Sequence, residues 1–191
     1  MYRKGDMEMG KQTAWEEIDK KSSEIFTASD EIWGCAETAF TEEKSMKILC
    51  DVLKAEGFTV ETGLAGVTTA FKGTFGSGKP VIGILGEFDA LSGLDQEAGA
   101  TEKIVVHDGA SGHGCGHNLF GATSALAAAA LKSVIDEVGG EVRLYGTPGE
   151  EGGENGSEKG SFVREGYFKD VDAALSAHPG VGHQLTSKTL G

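Results

Sequence analysis

A chain of 191 residues with 39% hydrophobic and 25% charged residues has the apolar material for one sizeable core and the composition of a soluble globular domain. Its formal net charge of -13 argues against nucleic acid and against an anionic membrane as partners. Three cysteines are too few, and odd in number, for a disulfide framework, and they fit a reducing cytoplasm.

In chain order, Met1 to Gln12 is polar and mixed in charge, lacks the apolar stretch of a signal peptide, and is expected to be a disordered tail. From Thr13 to about Ala36 the apolar residues Trp15, Ile18, Ile25, Ile32 and Trp33 recur with a helical period that slips at Ser22. A second helix is expected over Thr41 to Glu56, with Met46, Leu49, Cys50 and Leu53 on one face and Gly57 as its stop. Cys35 and Cys50 sit among apolar residues and read as core thiols. Two short strands follow, Phe58 to Glu61 and Thr68 to Lys72.

The run from Gly73 to Lys79 matches a phosphate loop as far as its lysine. Pro80 then stands where a magnesium-binding hydroxyl is needed, and a strand follows where a helix N-terminus is required, so a flexible hairpin is expected instead. Val81 to Leu85 reads as a buried strand that ends at Gly86-Glu87-Phe88-Asp89. A glycine-rich stretch leads to Gly112-His113-Gly114-Cys115-Gly116-His117-Asn118. From Asn118 to Ile135 the chain is Ala-rich and apolar almost all round, a buried helix that Asn118 could cap. Its longest apolar run, Ala125 to Leu131, is too short to span a bilayer. A strand over Glu141 to Tyr145 runs into Thr147-Pro148-Gly149-Glu150-Glu151, a short helix is expected around Ser161 to Glu165, and a last strand over Val171 to Ala177 ends at His178.

Alternating strands and helices call for an α/β fold with a largely parallel sheet, and ligands bind such sheets beyond the carboxyl ends of their strands. Asp89, Glu150, Glu151 and His178 fall just past expected strand ends, and Cys115 and His117 just before a helix. Six residues of ligand or proton-transfer chemistry therefore converge on one sheet edge. Cys115 and His117 are two apart in a glycine-bounded turn and could reach one ion, or form a reactive-thiol loop without metal. Adjacent carboxylates at 150 and 151 can divide labour, one holding a metal and the other moving a proton. Asp89 could hold a ligand histidine by a hydrogen bond or cap a turn, and His178 before Pro179 is in a restricted, extended conformation. His107 and His183 read as loop histidines, and His113 as a residue that shapes the loop or joins the site.

These motifs resemble the amidohydrolase branch of the dinuclear metallopeptidases related to carboxypeptidase G and aminoacylase. The resemblance rests on Asp89-Ala90-Leu91 after a strand, the Gly112 to His117 block, Pro148 to Glu151, and His178, in that order. Gly-Glu-Phe-Asp-Ala-Leu, Gly-His-Gly-Cys-Gly-His-Asn-Leu and Pro-Gly-Glu-Glu-Gly-Gly look most like the p-aminobenzoyl-glutamate hydrolase group. The resemblance implies a three-layer α/β/α catalytic domain, phosphorylase/hydrolase-like, of which residues 13–191 are the N-terminal part. It implies two divalent ions, zinc or manganese, held by Cys115, His117, Glu151 and His178, with Asp89 behind a ligand and Glu150 as general base and acid. A water on the metal would attack the amide of an N-acyl or aminobenzoyl amino acid. A homodimer or hetero-oligomer is expected for the family's full form, and little activity for this chain alone. The competing expectations are a non-catalytic metal-binding or assembly module, and a thiol enzyme with Cys115 as nucleophile and His117 as base. Wider relatives carry a metal-binding histidine where Glu87 stands, so no ligand role is carried over to Glu87.

Overall fold

The computed structural model describes residues 4–152, 157–180 and 182. Helix α1 (Lys4–Cys35) begins ahead of the expected Thr13, so residues 4–12, expected as a disordered tail, continue the helix. Straight-chain residues such as Lys11 and Gln12 extend an existing helix at little cost. Gln12 Nε2 donates to Glu16 Oε1 (3.1 Å), and Thr13 Oγ1 to the Met9 carbonyl (3.0 Å). Helix α2 (Glu43–Ala55) buries Leu49, Cys50 and Leu53, the apolar face read from its spacing.

Five strands follow in one sheet: β1 (Thr59–Thr62), β2 (Phe71–Ser77), β3 (Val81–Gly86), β4 (Gly140–Gly146) and β5 (Ala173–Leu175). Their order is β1-β2-β4-β3-β5. β4, β3 and β5 are parallel to one another, whereas β2 runs antiparallel to both β4 and β1. The parallel half carries the candidate residues and the antiparallel half closes the other edge.

The expected hairpin around residues 73–79 does not form. Residues 71–77 are strand, and β4 lies between β2 and β3, pairing Gly140 with Ser77 on one side and Glu141 with Val81 on the other. A crossover through α3 (His117–Val138) returns the chain parallel to β3, so that β4 occupies the edge a hairpin would have used.

Side chains alternate across the sheet. Val142, Leu144, Ile84 and Phe71 pack with Ile32 of α1, Leu49 and Leu53 of α2, and Ala125 and Ala128 of α3. On the opposite face Tyr145 lies under Phe162 of α4 (Lys159–Arg164), beside Leu85, Tyr167, Phe168 and Val171. Each such fully buried large apolar side chain contributes about 1.5–3 kcal/mol. Helix α3 is long and apolar enough to cross a membrane by length and composition, but 56% of its apolar window is buried inside the protein, as in a core helix. A Cβ on Gly121 would lie 2.9 Å from the Glu87 carbonyl oxygen. Glycine there lets α3 press against the exit of β3 and brings His117, one turn earlier, over Asp89.

Asn118 is not the cap. Gly116 holds the N-cap position, the helix starts at His117, and the Asn118 amide donates instead to Ser29 Oγ of α1 (3.0 Å).

Candidate metal centre

Three crossings deliver the site. β3 ends at Gly86, and the extended chain beyond it places Glu87 and Asp89, both buried, on the same side. Leu91 and Gly112 exchange backbone hydrogen bonds (3.0 and 2.9 Å), which ties the glycine–cysteine turn to this exit. Gly116, at φ 79°, takes the left-handed turn that separates Cys115 from His117 and starts α3. β4 then delivers the loop of Glu150 and Glu151, and β5 delivers His178.

Asp89 organises the cluster. Its Oδ1 accepts from His117 Nδ1 (2.9 Å), and its Oδ2 accepts the backbone N–H of Glu151 (2.8 Å). His178 Nδ1 donates to the Pro179 carbonyl (2.7 Å). With Nδ1 of both rings engaged, both Nε2 atoms are the free donors, and they lie 3.3 Å apart. Cys115 Sγ lies 3.3 Å from His178 Nε2. Around His117 Nε2 also stand Glu87 Oε2 at 2.9 Å, Glu151 Oε1 at 3.9 Å and Glu150 Oε2 at 4.0 Å.

This donor set fits a divalent cation. Ligand bonds of ~2.0–2.3 Å at tetrahedral angles set donor atoms roughly 3.3–3.6 Å apart, the spacing seen from His178 Nε2 to Cys115 Sγ and to His117 Nε2. Ligand atoms of Cys115, His117 and His178 all lie within 4.8 Å of one another, as do those of Glu87, His117 and Glu150. Glu87 Oε2 and Glu151 Oε1 are buried without a hydrogen-bond partner among the described residues. Buried carboxylate oxygens normally have partners, and a cation is one way to supply them.

The titration of the site points the same way. Burial alone would depress the His117 imidazole, but the hydrogen bond to Asp89 and the negative charge of the nearby Glu87 carboxylate outweigh it and push it up to about 10. Burial and the Glu151 carboxylate push the Cys115 thiol up to about 11. The pocket is thus built for positive charge, and a metal must displace protons from both residues to bind.

The structure brings together Asp89, Cys115, His117, Glu150, Glu151 and His178, all six residues singled out from the sequence. His113 stays apart from the donors: it is buried, its Nε2 faces the Ile32 carbonyl (3.1 Å), and it shapes the turn. His107 pairs with Asp95 in an exposed loop, and His183 lies outside the described residues. Two further neighbours stand beside these six, one of them Glu87, to which the sequence alone assigned no ligand role. Glu87 sits two residues before Asp89 on an extended segment, a period that would have put it on the same face. Lys159 of α4, which pairs with Glu87 Oε1, carries no local signal, because 72 residues separate the two. A third omission is Glu42, whose buried carboxylate accepts from the Gly149 N–H (2.9 Å) and from Thr69 Oγ1 (3.0 Å) and so anchors the loop ahead of Glu150.

The sequence model of peptidase family M20/M25/M40 matches residues 83–190. Over 153 residues the chain is 50% identical to one of the subunits of p-aminobenzoyl-glutamate hydrolase of Escherichia coli (strain K12), an alignment covering 79% of this chain and 31% of that protein. Its fold is similar to that of a protein from methicillin-resistant Staphylococcus aureus described as an aminohydrolase, with a TM-score of 0.72 and 26% identity over 87% of this chain and 42% of that one. It is also similar to a dinuclear metal-binding peptidase of the M20 family from Bacillus subtilis, with a TM-score of 0.68 and 20% identity over 83% and 43%. The chain therefore spans about a third of the length of the Escherichia coli relative.

Proposed function

We propose, from the premise that this chain belongs to peptidase family M20/M25/M40, that it is part of a metal-dependent hydrolase of the amide bond in N-acyl or aminobenzoyl amino acids. The observation that carries this reading is the Asp89 carboxylate, which holds His117 and the Glu151 backbone at once and so gathers the donors into one cluster. The similarity to a p-aminobenzoyl-glutamate hydrolase subunit supports p-aminobenzoyl-glutamate and related N-acyl amino acids as the substrate class.

In this reading Cys115, His117, Glu151 and His178 hold metal, two ions of zinc or manganese, and residues 13–191 are part of the catalytic domain. Bound divalent ions supply Lewis acidity toward the amide carbonyl and lower the pKa of water. Asp89 fixes the His117 ring so that Nε2 points at the centre. Glu150, whose side chain is 38% exposed at the mouth, takes the proton of the attacking water and returns it to the leaving nitrogen. The acidic end of a glutamate substrate needs a cation, and the net charge of -13 makes another region or a partner chain its natural source. The Escherichia coli relative is a subunit of its enzyme, which supports a hetero-oligomer, with a homodimer as the other assembly. Three cysteines without disulfide partners among the described residues are compatible with a cytoplasmic setting.

The thiol-enzyme alternative is opposed by geometry. The imidazole in contact with Cys115 Sγ is that of His178 (3.3 Å), not the His117 base which that reading requires, and the thiol is pushed up, not down. Residues 1–191 alone are expected to turn over little substrate, because Glu150 and His178 face solvent and strand β5 is exposed along its length. The test is metal content and p-aminobenzoyl-glutamate turnover measured on one preparation, for this chain and for a chimaera completed with the remainder of the Escherichia coli relative. Metal without turnover in both would leave a metal-binding or assembly module.

A further inference from the structure

Glu87 has no place in the ligand set above, yet its position is that of a ligand. Its side chain is 4% exposed. One oxygen, Oε1, is taken by the Lys159 ammonium. The other, Oε2, lies 2.9 Å from His117 Nε2 but outside hydrogen-bond geometry, and it has no hydrogen-bond partner among the described residues. Neighbouring ligands of an octahedral ion with bonds of ~2.1 Å sit roughly 3.0 Å apart. The two atoms are spaced as ligands of one ion, and a Glu150 oxygen lies within 4.8 Å of both.

The two donor groups that share His117 differ in kind. One offers a thiol and an imidazole from Cys115 and His178. The other offers the Glu87 carboxylate, with Glu150, kept for proton transfer, beside it. Thiolate and imidazole favour zinc, whereas oxygen donors favour manganese and magnesium.

We propose that Glu87, together with His117, is a ligand for a hard divalent cation, and that Lys159 is the resident counter-ion which that cation displaces. This rests on the metal-dependent reading above and adds to it a residue and a selectivity. A buried carboxylate without a counter-charge is strongly destabilising, which gives Lys159 its role while the position holds no metal. Helix α4 carries Lys159 on a side chain one-third exposed, so the ammonium can swing to solvent without moving the helix.

The experiment is titration of the full chain with Mn²⁺, followed by electron paramagnetic resonance of the free ion, and with Zn²⁺, followed by competition with a chromophoric chelator. Glu87→Gln should weaken Mn²⁺ binding at least tenfold and change Zn²⁺ binding by no more than a few-fold. Cys115→Ser should show the opposite pattern. Lys159→Gln, which leaves every ligand in place, should tighten Mn²⁺ binding, and it keeps the test decisive if Glu87→Gln does not fold. Mn²⁺ affinity unchanged by Glu87→Gln, or unchanged or weakened by Lys159→Gln, would overturn the proposal and leave the metal-dependent reading standing. Failure of the unsubstituted chain to bind either ion would overturn both.

Discussion

Cys115→Ser and His178→Ala each remove one donor while leaving the Asp89–His117 hydrogen bond intact. Zinc content, measured by mass spectrometry after dialysis, is expected to fall in both variants, and unchanged content in both would remove these residues as ligands. Glu150→Gln and Glu151→Gln separate two roles in a catalytically competent form. The first should retain metal and lose about a hundred-fold to ten-thousand-fold in turnover. The second should lose metal. A Glu150→Gln enzyme within a few-fold of the parent would refute the proton-transfer assignment. These residues were legible because each stands next to an element boundary that hydrophobic period and glycine placement reveal. Glu42 and Lys159 were not, because each acts on a partner far along the chain, Gly149 and Glu87 respectively, which only packing brings near.

At the scale of elements, the clamp of Glu42 on the Gly149–Glu151 loop is the most exposed to test. Burial raises the pKa of its carboxyl group despite the hydrogen bonds it accepts. Glu42→Ala leaves the Gly149 N–H without its acceptor and should lower stability by about 1–3 kcal/mol in urea unfolding. Glu42→Gln, which keeps an acceptor of the same shape, should lose less; equal losses would show that the hydrogen bonds contribute nothing. The order of helices and strands followed from period and breaker residues, as at α2 with Leu49, Cys50 and Leu53 inward. The lateral order of strands did not. The insertion of β4 between β2 and β3 is a long-range pairing, and nothing in residues 73–80 encodes it. The start of α1 at Lys4 was missed for a different reason: a polar segment has no apolar period to read, yet it can still continue a helix that tertiary packing has nucleated.

For the molecule as a whole, acid should act through the pair that fastens the segment before β5 to the sheet. Arg143 donates twice to Asp170 (2.8 and 2.7 Å) and holds that carboxyl down at about 2, against an ordinary 3.8. Its contribution is complete above the ordinary value and is lost as pH falls through about 2. Asp170→Asn should therefore flatten the decline of stability between pH 3.8 and about 2, read from urea midpoints at each pH. The Asp89 hub has a consequence for time rather than for equilibrium. Its two partners, His117 and Glu151, stand on two successive crossovers, and His178 follows β5, so the cluster is closed by contacts distant in the chain. Such long-range contacts are expected to form after the folding barrier, where they act on unfolding rather than on folding. Metal should then leave the refolding rate nearly unchanged and slow unfolding, so that saturating zinc shifts only the unfolding limb of a stopped-flow denaturant series. The ion would act as a latch on the finished molecule, extending its lifetime without hastening its formation.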